Sequence, residues 1–379
     1  MKIILTGGGS GGHFYPLMAV AEQVRKISED RKLLQPKIYY VSDQSYDEDL
    51  LFKNEIIFKK LSSGKMRRYF SILNFFDFFK TGWATFKAII MVFAIYPDVI
   101  FSNGGFGSFP ILLAGRIFNI PIFVHISDSV PGKVVTWASK FAHKISIGFP
   151  ETIDYLKQEK GKEKTAFTGN PVRRGLAIPL KQGGHEFLKL DKNVPTVLVL
   201  GGSQGAKIIN DTLVDVLSRL VVKYQIIHQT GKNNFEEVSK RANLILQDSP
   251  YKNRYKAFSF LDLLALRMSV GASDLVISRA GAGSISEIAV WGLPSIIIPI
   301  ENSAGNHQVH NAFSFARQKT TVVIVEKNLT SNLLFSEIDR ILSNKELAEE
   351  MAKKAKEASM PDAADAIARE IVNIAVGHE

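Results

Sequence analysis

The chain has 379 residues, of which 46% are hydrophobic and 22% charged, and its formal net charge is +10 at pH 7. This length suits two domains, and this composition excludes a disordered chain. The lack of cysteine excludes disulfides, thiolate zinc sites and cysteine nucleophiles, and it fits a reducing cytoplasm. The basic charge favours an anionic partner: nucleic acid, a membrane surface or a phosphorylated ligand.

The first predicted element is a buried strand, Lys2–Thr6, which leads directly into the glycine-rich run Gly7–Gly12. This apolar start is too short for a signal peptide, and no later stretch is long and uncharged enough to predict a transmembrane helix. A helix is expected at Pro16–Ser28. Glycines between strand and helix let a ligand approach the backbone, and the N–H groups of a helix start favour a phosphate. A purely structural turn is the alternative.

A second glycine-rich loop, Asn103–Pro110, follows the predicted strand Val99–Phe101. The loops at the carboxyl ends of parallel strands gather round one crevice, so we expect this loop to face the same cleft as Gly7–Gly12. A plain structural loop is again the alternative. His13 ends the first loop. A histidine beside a phosphate site can act as a general base, or it can simply cap the loop.

Residues 65–95 combine many aromatic side chains with lysine and arginine. The charges make this segment too polar to span a bilayer, but an apolar patch ringed by cations suits the interface of an anionic leaflet. The alternative is a core helix with exposed lysines, and much of Ala88–Ile95 is expected in the core. The predicted membrane contacts are Phe75, Phe76, Phe78, Phe79 and Trp83.

Short β-branched runs alternate with helical stretches throughout, which predicts an α/β protein with parallel sheets. The two halves repeat one plan, so we predict two doubly wound domains, residues 1–167 and 195–355, joined by a linker at 168–194. A last helix, about 356–379, is expected to pack back on the first domain. The other predicted strands are Ile38–Val41, Ile122–His125, Lys144–Ile147, Thr196–Leu200, Gln225–Gln229, Leu275–Ser278, Ser295–Pro299 and Thr321–Val325.

The second domain contains its own glycine loops, Gly201–Ala206 and Ser278–Ser284, each after a predicted strand. The helix that begins at Ser284 could hold a diphosphate, with Arg279 adding positive charge. Glu287, one turn further, lies within reach of a ribose, although a glutamate there can also serve only the helix dipole. The polar loop 301–311 suits sugar hydroxyls, or it is simply solvated.

These motifs together resemble the MurG family, N-acetylglucosaminyltransferases that convert lipid I to lipid II in peptidoglycan synthesis. The resemblance implies a GT-B fold, two Rossmann-like domains with the active site in the cleft between them. It also implies an inverting reaction without a required metal or other cofactor. The implied substrates are UDP-N-acetylglucosamine and the polyprenyl-pyrophosphate-linked lipid I, at the cytoplasmic face of the membrane. The matching segments are Gly7–Pro16, Gly104–Ser108, Gly169–Arg173, Gly201–Ala206 and Ser278–Asn311.

The resemblance also implies site residues. Uracil would meet the backbone near Phe260 and Leu261, and Glu287 would take the ribose. Ser203, Gln204 and the helix start would face the diphosphate, and Gln308 and Asn311 the sugar. The donor set is Arg173, Ser203, Gln204, Phe260, Leu261, Arg279, Ala282, Gly283, Ser284, Glu287, Gln308 and Asn311. The acceptor diphosphate set is Ser10, Gly11, Gly12, Gly104, Gly105 and Phe106. His13 is the first candidate for the base, and His125 and Asp128 complete the catalytic set.

The chain departs from the family where a His-Glu-Gln-Asn run is usual: Ile126 and Asp128 replace the glutamate and the asparagine, and Phe106 replaces a tyrosine. A related GT-B transferase with another lipid acceptor, or a non-catalytic UDP-sugar-binding subunit, therefore stays an alternative. The acidic triplet Asp47–Asp49 is far from the donor motifs, so we expect no metal site there. We also expect no nucleic-acid binding, because no recognition motif of that class is present.

Overall fold

The computed structural model describes residues 1–8, 11–64, 73–156, 163–202, 205–301 and 303–377, apart from the side chains of 73–76, 78 and 304. These residues form two compact units. Unit 1 is Met1–Arg173 together with Pro361–Glu379, and unit 2 is Arg174–Met360. The division falls inside the range that we predicted as a linker, and unit 1 takes in the final helix.

Unit 1 contains a seven-stranded sheet in the order β3-β2-β1-β4-β5-β6-β7, with all neighbours parallel. The strand order reverses between β1 and β4, as in a doubly wound fold, where ligands bind at the carboxyl ends of these strands. The strands are β1 Lys2–Thr6, β2 Lys37–Ser42, β3 Ile57–Lys60, β4 Val99–Ser102, β5 Ile122–Ile126, β6 Lys144–Ile147 and β7 Thr165–Phe167.

Unit 2 repeats the plan with a six-stranded parallel sheet, in the order β10-β9-β8-β11-β12-β13. Its order reverses between β8 and β11. The strands are β8 Thr196–Leu200, β9 Gln225–Gln229, β10 Tyr255–Phe258, β11 Leu275–Ser278, β12 Ser295–Ile297 and β13 Thr321–Val323. The predicted pair of Rossmann-like, doubly wound domains is therefore confirmed, and so is each predicted strand, to within a few residues at its ends.

Helices flank each sheet. Those of unit 1 are α1 Gly11–Asp30, α2 Glu48–Lys53, α3 Leu73–Ile95, α4 Phe109–Ile117, α5 Lys133–Ala138 and, at the far end of the chain, α16 Ala363–Gly377. Those of unit 2 are α6 Arg174–Ala177, α7 Gly184–Leu188, α8 Lys207–Asp215, α9 Leu217–Lys223, α10 Phe235–Ile245, α11 Leu263–Gly271, α12 Ala282–Trp291, α13 His307–Ala316, α14 Ser331–Ser343 and α15 Lys345–Glu357. Short 3-10 helices occur at Phe106–Ser108, Pro150–Tyr155, Lys252–Arg254, Ala304–Asn306 and Glu326–Asn328.

The core of unit 1 lies on both faces of its sheet. Ile3 and Leu5 on β1 belong to one buried cluster with α1 and α16, and Ile4 belongs to the other with α3 and α4. This alternation follows from the two-residue period of a strand, and burial on both faces explains why Ile3, Ile4 and Leu5 are all apolar. The acidic triplet has a structural role, because the side chain of Asp47 accepts the Leu50 N–H at the start of α2.

Candidate functional site

In unit 1, the two glycine loops lie against each other at the carboxyl ends of β1 and β4. A Cβ atom on Gly8 would lie 2.8 Å from the backbone nitrogen of Gly107, and one on Gly105 would lie 2.7 Å from the Gly8 carbonyl oxygen. Gly105 also has a φ of +82°, which disfavours any larger residue. The two loops thus lie together at one edge of the sheet, and the cleft that they are expected to face stays a prediction. Glycine is needed because the backbones touch.

His13 lies in the first turn of α1 and is tied to the start of the second loop. Its Nδ1 lies 2.8 Å from the Asn103 carbonyl oxygen, and Asn103 Nδ2 donates to the His13 carbonyl oxygen at 3.1 Å. A carbonyl can only accept, so Nδ1 carries a proton and the lone pair of the neutral ring is on Nε2. The Ser127 hydroxyl donates to Asn103 Oδ1 at 2.5 Å and holds the amide in place. Sequence reasoning did not identify Asn103 or Ser127.

His125, on β5, is fully buried. Its ring nitrogens lie 2.8 Å from Ser146 Oγ and 2.9 Å from Asn170 Oδ1. Burial lowers the pKa of His125 to about 4, against smaller opposing effects of Asn170 and Asp128, so the ring is neutral near pH 7. The geometry therefore favours a role in holding Asn170 over direct contact with a substrate. Asp128 is half-buried nearby, and Ile126, 2% exposed, contributes to the core.

Arg173 ends unit 1 and packs on α1. Its guanidinium lies 4.4 Å from the centre of the Tyr15 ring, a cation–π contact, and its Nε is buried without a hydrogen-bond partner among the described residues. Burial raises the pKa of Glu22 on the same helix, and the positive charge of Arg173 opposes this rise. Arg173 thus supplies positive charge next to the helix that carries His13.

In unit 2, the predicted diphosphate site is the start of α12, at the carboxyl end of β11. The helix begins at Ala282, two residues before the predicted start, and its N-cap residue, Gly281, has no side chain that could bond the first N–H groups. Its N–H groups are thus available to an anion, and the helix dipole adds a partial positive charge. Gly283, Ser284 and Glu287 are half-buried on this helix.

The other glycine loop of unit 2 follows β8, the strand next to β11. Gly202 and Gly205 have φ values of +82° and +80°, and a Cβ on Gly205 would lie 2.2 Å from the Thr230 carbonyl oxygen. Asn210 Nδ2 donates to this carbonyl at 2.9 Å, and its Oδ1 lies 2.9 Å from Nε2 of the buried His228. The buried side chains of Asn210 and His228 therefore hold the Thr230 carbonyl that lies against this loop. The sequence did not predict this network.

Comparison with known proteins agrees with this arrangement. The glycosyltransferase family 28 N-terminal domain matches residues 3–147, and the family's C-terminal domain matches residues 196–367. The chain is 36% identical, over 91% of each chain, to the UDP-N-acetylglucosamine–N-acetylmuramyl-(pentapeptide) pyrophosphoryl-undecaprenol N-acetylglucosamine transferase of Clostridium perfringens strain SM101. It is 34% identical to transferase 2 of the same name from Bacillus cereus, over 93% of this chain and 95% of the relative.

The chain belongs to glycosyltransferase family 28. The fold of a solved structure, MurG of Acinetobacter baumannii, is also similar, with a TM-score of 0.73 at 23% identity over 98% of this chain and 99% of the other. That likeness supports the GT-B fold. The family assignment rests on the domain matches and on the relatives that are more than 30% identical.

Some side chains that we assigned to the donor of this family 28 protein are engaged within unit 2. Arg279 donates to the Ile298 carbonyl oxygen at 3.2 Å and forms a 2.9 Å ion pair with Glu326. Its charge is thus paired with a carboxylate, and its role beside the diphosphate stays a prediction. Asn311 is fully buried and donates to the Ala280 carbonyl oxygen, so it supports the loop before α12. Gln308 accepts the Ile300 N–H at 3.1 Å.

Some of the remaining donor and acceptor assignments fall on described residues, and others do not. Phe260 is 43% exposed and Leu261 2% exposed, and the contact of their backbone with uracil stays a prediction. Gly11, Gly12, Gly104 and Phe106 lie in or beside the touching loops of unit 1. The predictions for Ser10, Ser203 and Gln204 fall outside the described residues, as do those for the side chains of Phe75, Phe76 and Phe78.

Helix α3 presents two different faces. One is buried and includes Ala84, Ala88, Val92 and Ile95; the other is exposed. The exposed large apolar residues recur every three or four positions and form what we call the α3 stripe: Phe79, Trp83, Phe86, Ile90 and Phe93, each 53–66% exposed. Lys80 and Lys87 lie beside the stripe, with Lys87 Nζ 5.4 Å from the Trp83 ring centre. No helix within the described residues is long and apolar enough to cross a membrane.

Proposed function

We propose that this protein transfers N-acetylglucosamine from UDP-N-acetylglucosamine to lipid I, the undecaprenyl-pyrophosphoryl N-acetylmuramyl-peptide, and so forms lipid II. The observation that carries this proposal is the match to transferases of that name, 34–36% identical over more than nine tenths of the chain. The strand order reverses between β1 and β4 in unit 1 and between β8 and β11 in unit 2, and glycine loops follow these strands. Each place suits one phosphorylated ligand.

The donor is bound by unit 2. The uncapped start of α12 receives its diphosphate through backbone N–H groups, and Glu287 on that helix accepts the ribose hydroxyls. The helix dipole stabilises the negative charge that develops on UDP as it leaves. Arg279 contributes indirectly, because its bonds to Ile298 and Glu326 fix the loop that precedes the helix.

The acceptor diphosphate is received by the touching glycine loops of unit 1. A hydroxyl of the acceptor sugar attacks the anomeric carbon of N-acetylglucosamine, and the bond from that carbon to the UDP oxygen breaks. Nε2 of His13 takes the hydroxyl proton, since Nδ1 is protonated and held by Asn103. Attack from the face opposite to UDP inverts the anomeric carbon. Every proton and electron pair in this step is supplied by the substrates and by His13, so the scheme needs no cofactor.

The membrane is the third partner. The acceptor is attached to a polyprenyl chain, and the α3 stripe with its flanking lysines suits the interface of an anionic leaflet. We therefore propose that unit 1 binds the cytoplasmic surface of the membrane peripherally through this stripe. Exposure of a continuous apolar row that long is unusual for a surface that meets only water.

The test is transfer of labelled N-acetylglucosamine to a lipid I analogue, with and without EDTA. We expect lipid II to form in both conditions. UDP-N-acetylglucosamine binding without any transfer to lipid I would overturn the proposal. In that event, transfer to a different lipid acceptor would identify a related transferase, and the absence of transfer would identify a non-catalytic subunit.

A further inference from the structure

The last residue of β9, Gln229, joins the two loops of unit 2 that flank its strand. Gln229 is 7% exposed. Its Oε1 accepts the backbone N–H of Leu261 at 3.0 Å, and its Nε2 donates to the carbonyl oxygen of Gly202 at 3.3 Å. Gly202 follows β8 and Leu261 follows β10, the two strands between which β9 lies. The side-chain amide of Gln229 thus connects the loop after β8 to the loop after β10.

The two bridged segments correspond to opposite ends of the donor. Gly202 belongs to the glycine loop assigned to the diphosphate, and Leu261 belongs to the segment whose backbone is assigned to the uracil. The N–H of Leu261 is occupied by Gln229, so this segment meets the base through its remaining groups. One UDP molecule must reach both contacts, so their separation matters, and the Gln229 amide ties one residue of each segment, Gly202 and Leu261, to the other.

Only an amide satisfies both partners at neutral pH. Leu261 offers a donor and Gly202 an acceptor, so the bridging side chain must accept at one atom and donate at the other. An ionised carboxylate of the same shape has two acceptors and would face the Gly202 carbonyl without a proton. A methionine side chain of similar length leaves both backbone groups unsatisfied in a buried place.

We propose that Gln229 is a positioning residue for UDP-N-acetylglucosamine, which sets the diphosphate loop and the uracil segment at the separation that the nucleotide requires. This rests on the proposed function, because it assumes that unit 2 binds a UDP-sugar. It predicts that changes at Gln229 raise the KM for the donor and weaken UDP binding, while kcat at saturating donor and the KM for the lipid acceptor stay near wild type.

The experiment compares Gln229→Glu and Gln229→Met by calorimetric titration with UDP. At about pH 7.5 both variants should bind on the order of tenfold more weakly, since a buried backbone group loses its partner. Towards about pH 5 the affinity of Gln229→Glu should return, because burial raises the pKa of the introduced carboxyl and its protonated form again donates to Gly202. Gln229→Met should not recover. His228 next to it stays neutral over this range, since burial lowers its pKa to about 3.

Gln225 provides a matched control on the same strand. It is 2% exposed at the amino end of β9, and its Nε2 donates to the carbonyl oxygens of Asp191 and Val194. Gln225→Met should lower the melting temperature and leave UDP affinity unchanged. If the Gln229 variants behave in the same way, or if Gln229→Glu shows no recovery at low pH, the positioning role is wrong. Failure of the wild-type protein to bind UDP would instead overturn the proposed function.

Discussion

At the scale of single residues, the pairing of His13 with Asn103 is the feature with the clearest chemical meaning. Two hydrogen bonds run in opposite directions between the same two residues, from ring to backbone and from amide to backbone. The first bond fixes the tautomer of the ring, with the proton on Nδ1. The second bond goes to the backbone carbonyl of His13 and ties the start of α1 to the second loop.

His13→Ala should therefore lower the turnover number on the order of 100-fold or more, as expected for loss of a general base, with UDP affinity close to wild type. Steady-state transfer rates and UDP titration measure the two quantities separately. His143→Ala is the matched control, because His143 is an exposed histidine of the same unit. A wild-type rate in His13→Ala would remove His13 from the mechanism.

The buried ring of His125 makes unit 1 sensitive to acid. Its pKa is about 4 in the folded protein and 6.5 in the unfolded chain, so between these pH values the unfolded chain binds a proton that the folded chain does not. The free energy of unfolding of unit 1 should fall as the pH drops through this window, by up to about 1.4 kcal/mol per pH unit for this group.

Urea unfolding at a series of pH values, followed by amide hydrogen exchange in unit 1, measures this slope. In His125→Gln the slope should be smaller by the equivalent of one proton, because glutamine does not titrate. Equal slopes in wild type and His125→Gln would contradict the assignment.

At the scale of elements, the two faces of α3 explain why the sequence left two interpretations open for this segment. Residues of Ala88–Ile95 are partly core, as predicted, but Ile90 and Phe93 are exposed and extend the α3 stripe beyond the predicted contacts. Both faces are apolar, with aromatic residues exposed and Ala84, Ala88 and Val92 buried, so the sequence shows no polar face that marks the surface. Only the packing of α3 on its neighbours shows which residues remain outside.

Replacing Trp83 and Phe86 by serine should weaken binding to vesicles that contain anionic lipids, because the side chains lost are exposed and apolar. The melting temperature should change little. Liposome sedimentation measures the binding, and Phe52→Ser is the control, since Phe52 is 85% exposed on a different helix. Unaltered sedimentation, or equal loss in the control, would argue against the stripe as the membrane contact.

The strands that the sequence did not predict are β3, β7 and β10, and each lies at an edge of its sheet. None of these strands has a buried residue. A strand is recognised in the sequence by its buried, β-branched run, which an edge strand with polar residues does not need. The glycine loops were predictable because they follow central strands. The hydrogen bonds of Arg279 and Asn311 inside unit 2 could not be predicted, because their partners are distant in the chain.

At the scale of the whole molecule, the most unusual feature is that unit 1 contains residues from both ends of the sequence. Helix α16 packs against α1, and Ile371 on it is fully buried in the cluster that covers β1. Arg31 at the end of α1 also donates to Asn373 at 2.8 Å. The last helix thus forms part of the core of unit 1.

Ile371→Ala should destabilise unit 1 by about 2–5 kcal/mol, because it leaves a cavity in a packed core. UDP binding by unit 2 should persist under conditions in which unit 1 begins to open. Hydrogen exchange resolved by segment measures both effects. Val376→Ala is the control on the same helix, where the side chain is 43% exposed. Uniform loss of protection in both units would show that they unfold together.

The position of α16 also affects how the protein emerges from the ribosome. Unit 2 is one continuous stretch of chain, whereas the core of unit 1 stays incomplete until the segment after Pro361 has been synthesised. At about 5–20 residues per second, the delay is on the order of ten seconds or more. During that time the apolar side of β1 and α1 is uncovered. We therefore expect a ribosome-bound chaperone to bind nascent unit 1 through this apolar surface. We also expect unit 2, which is complete before α16 is synthesised, to fold first.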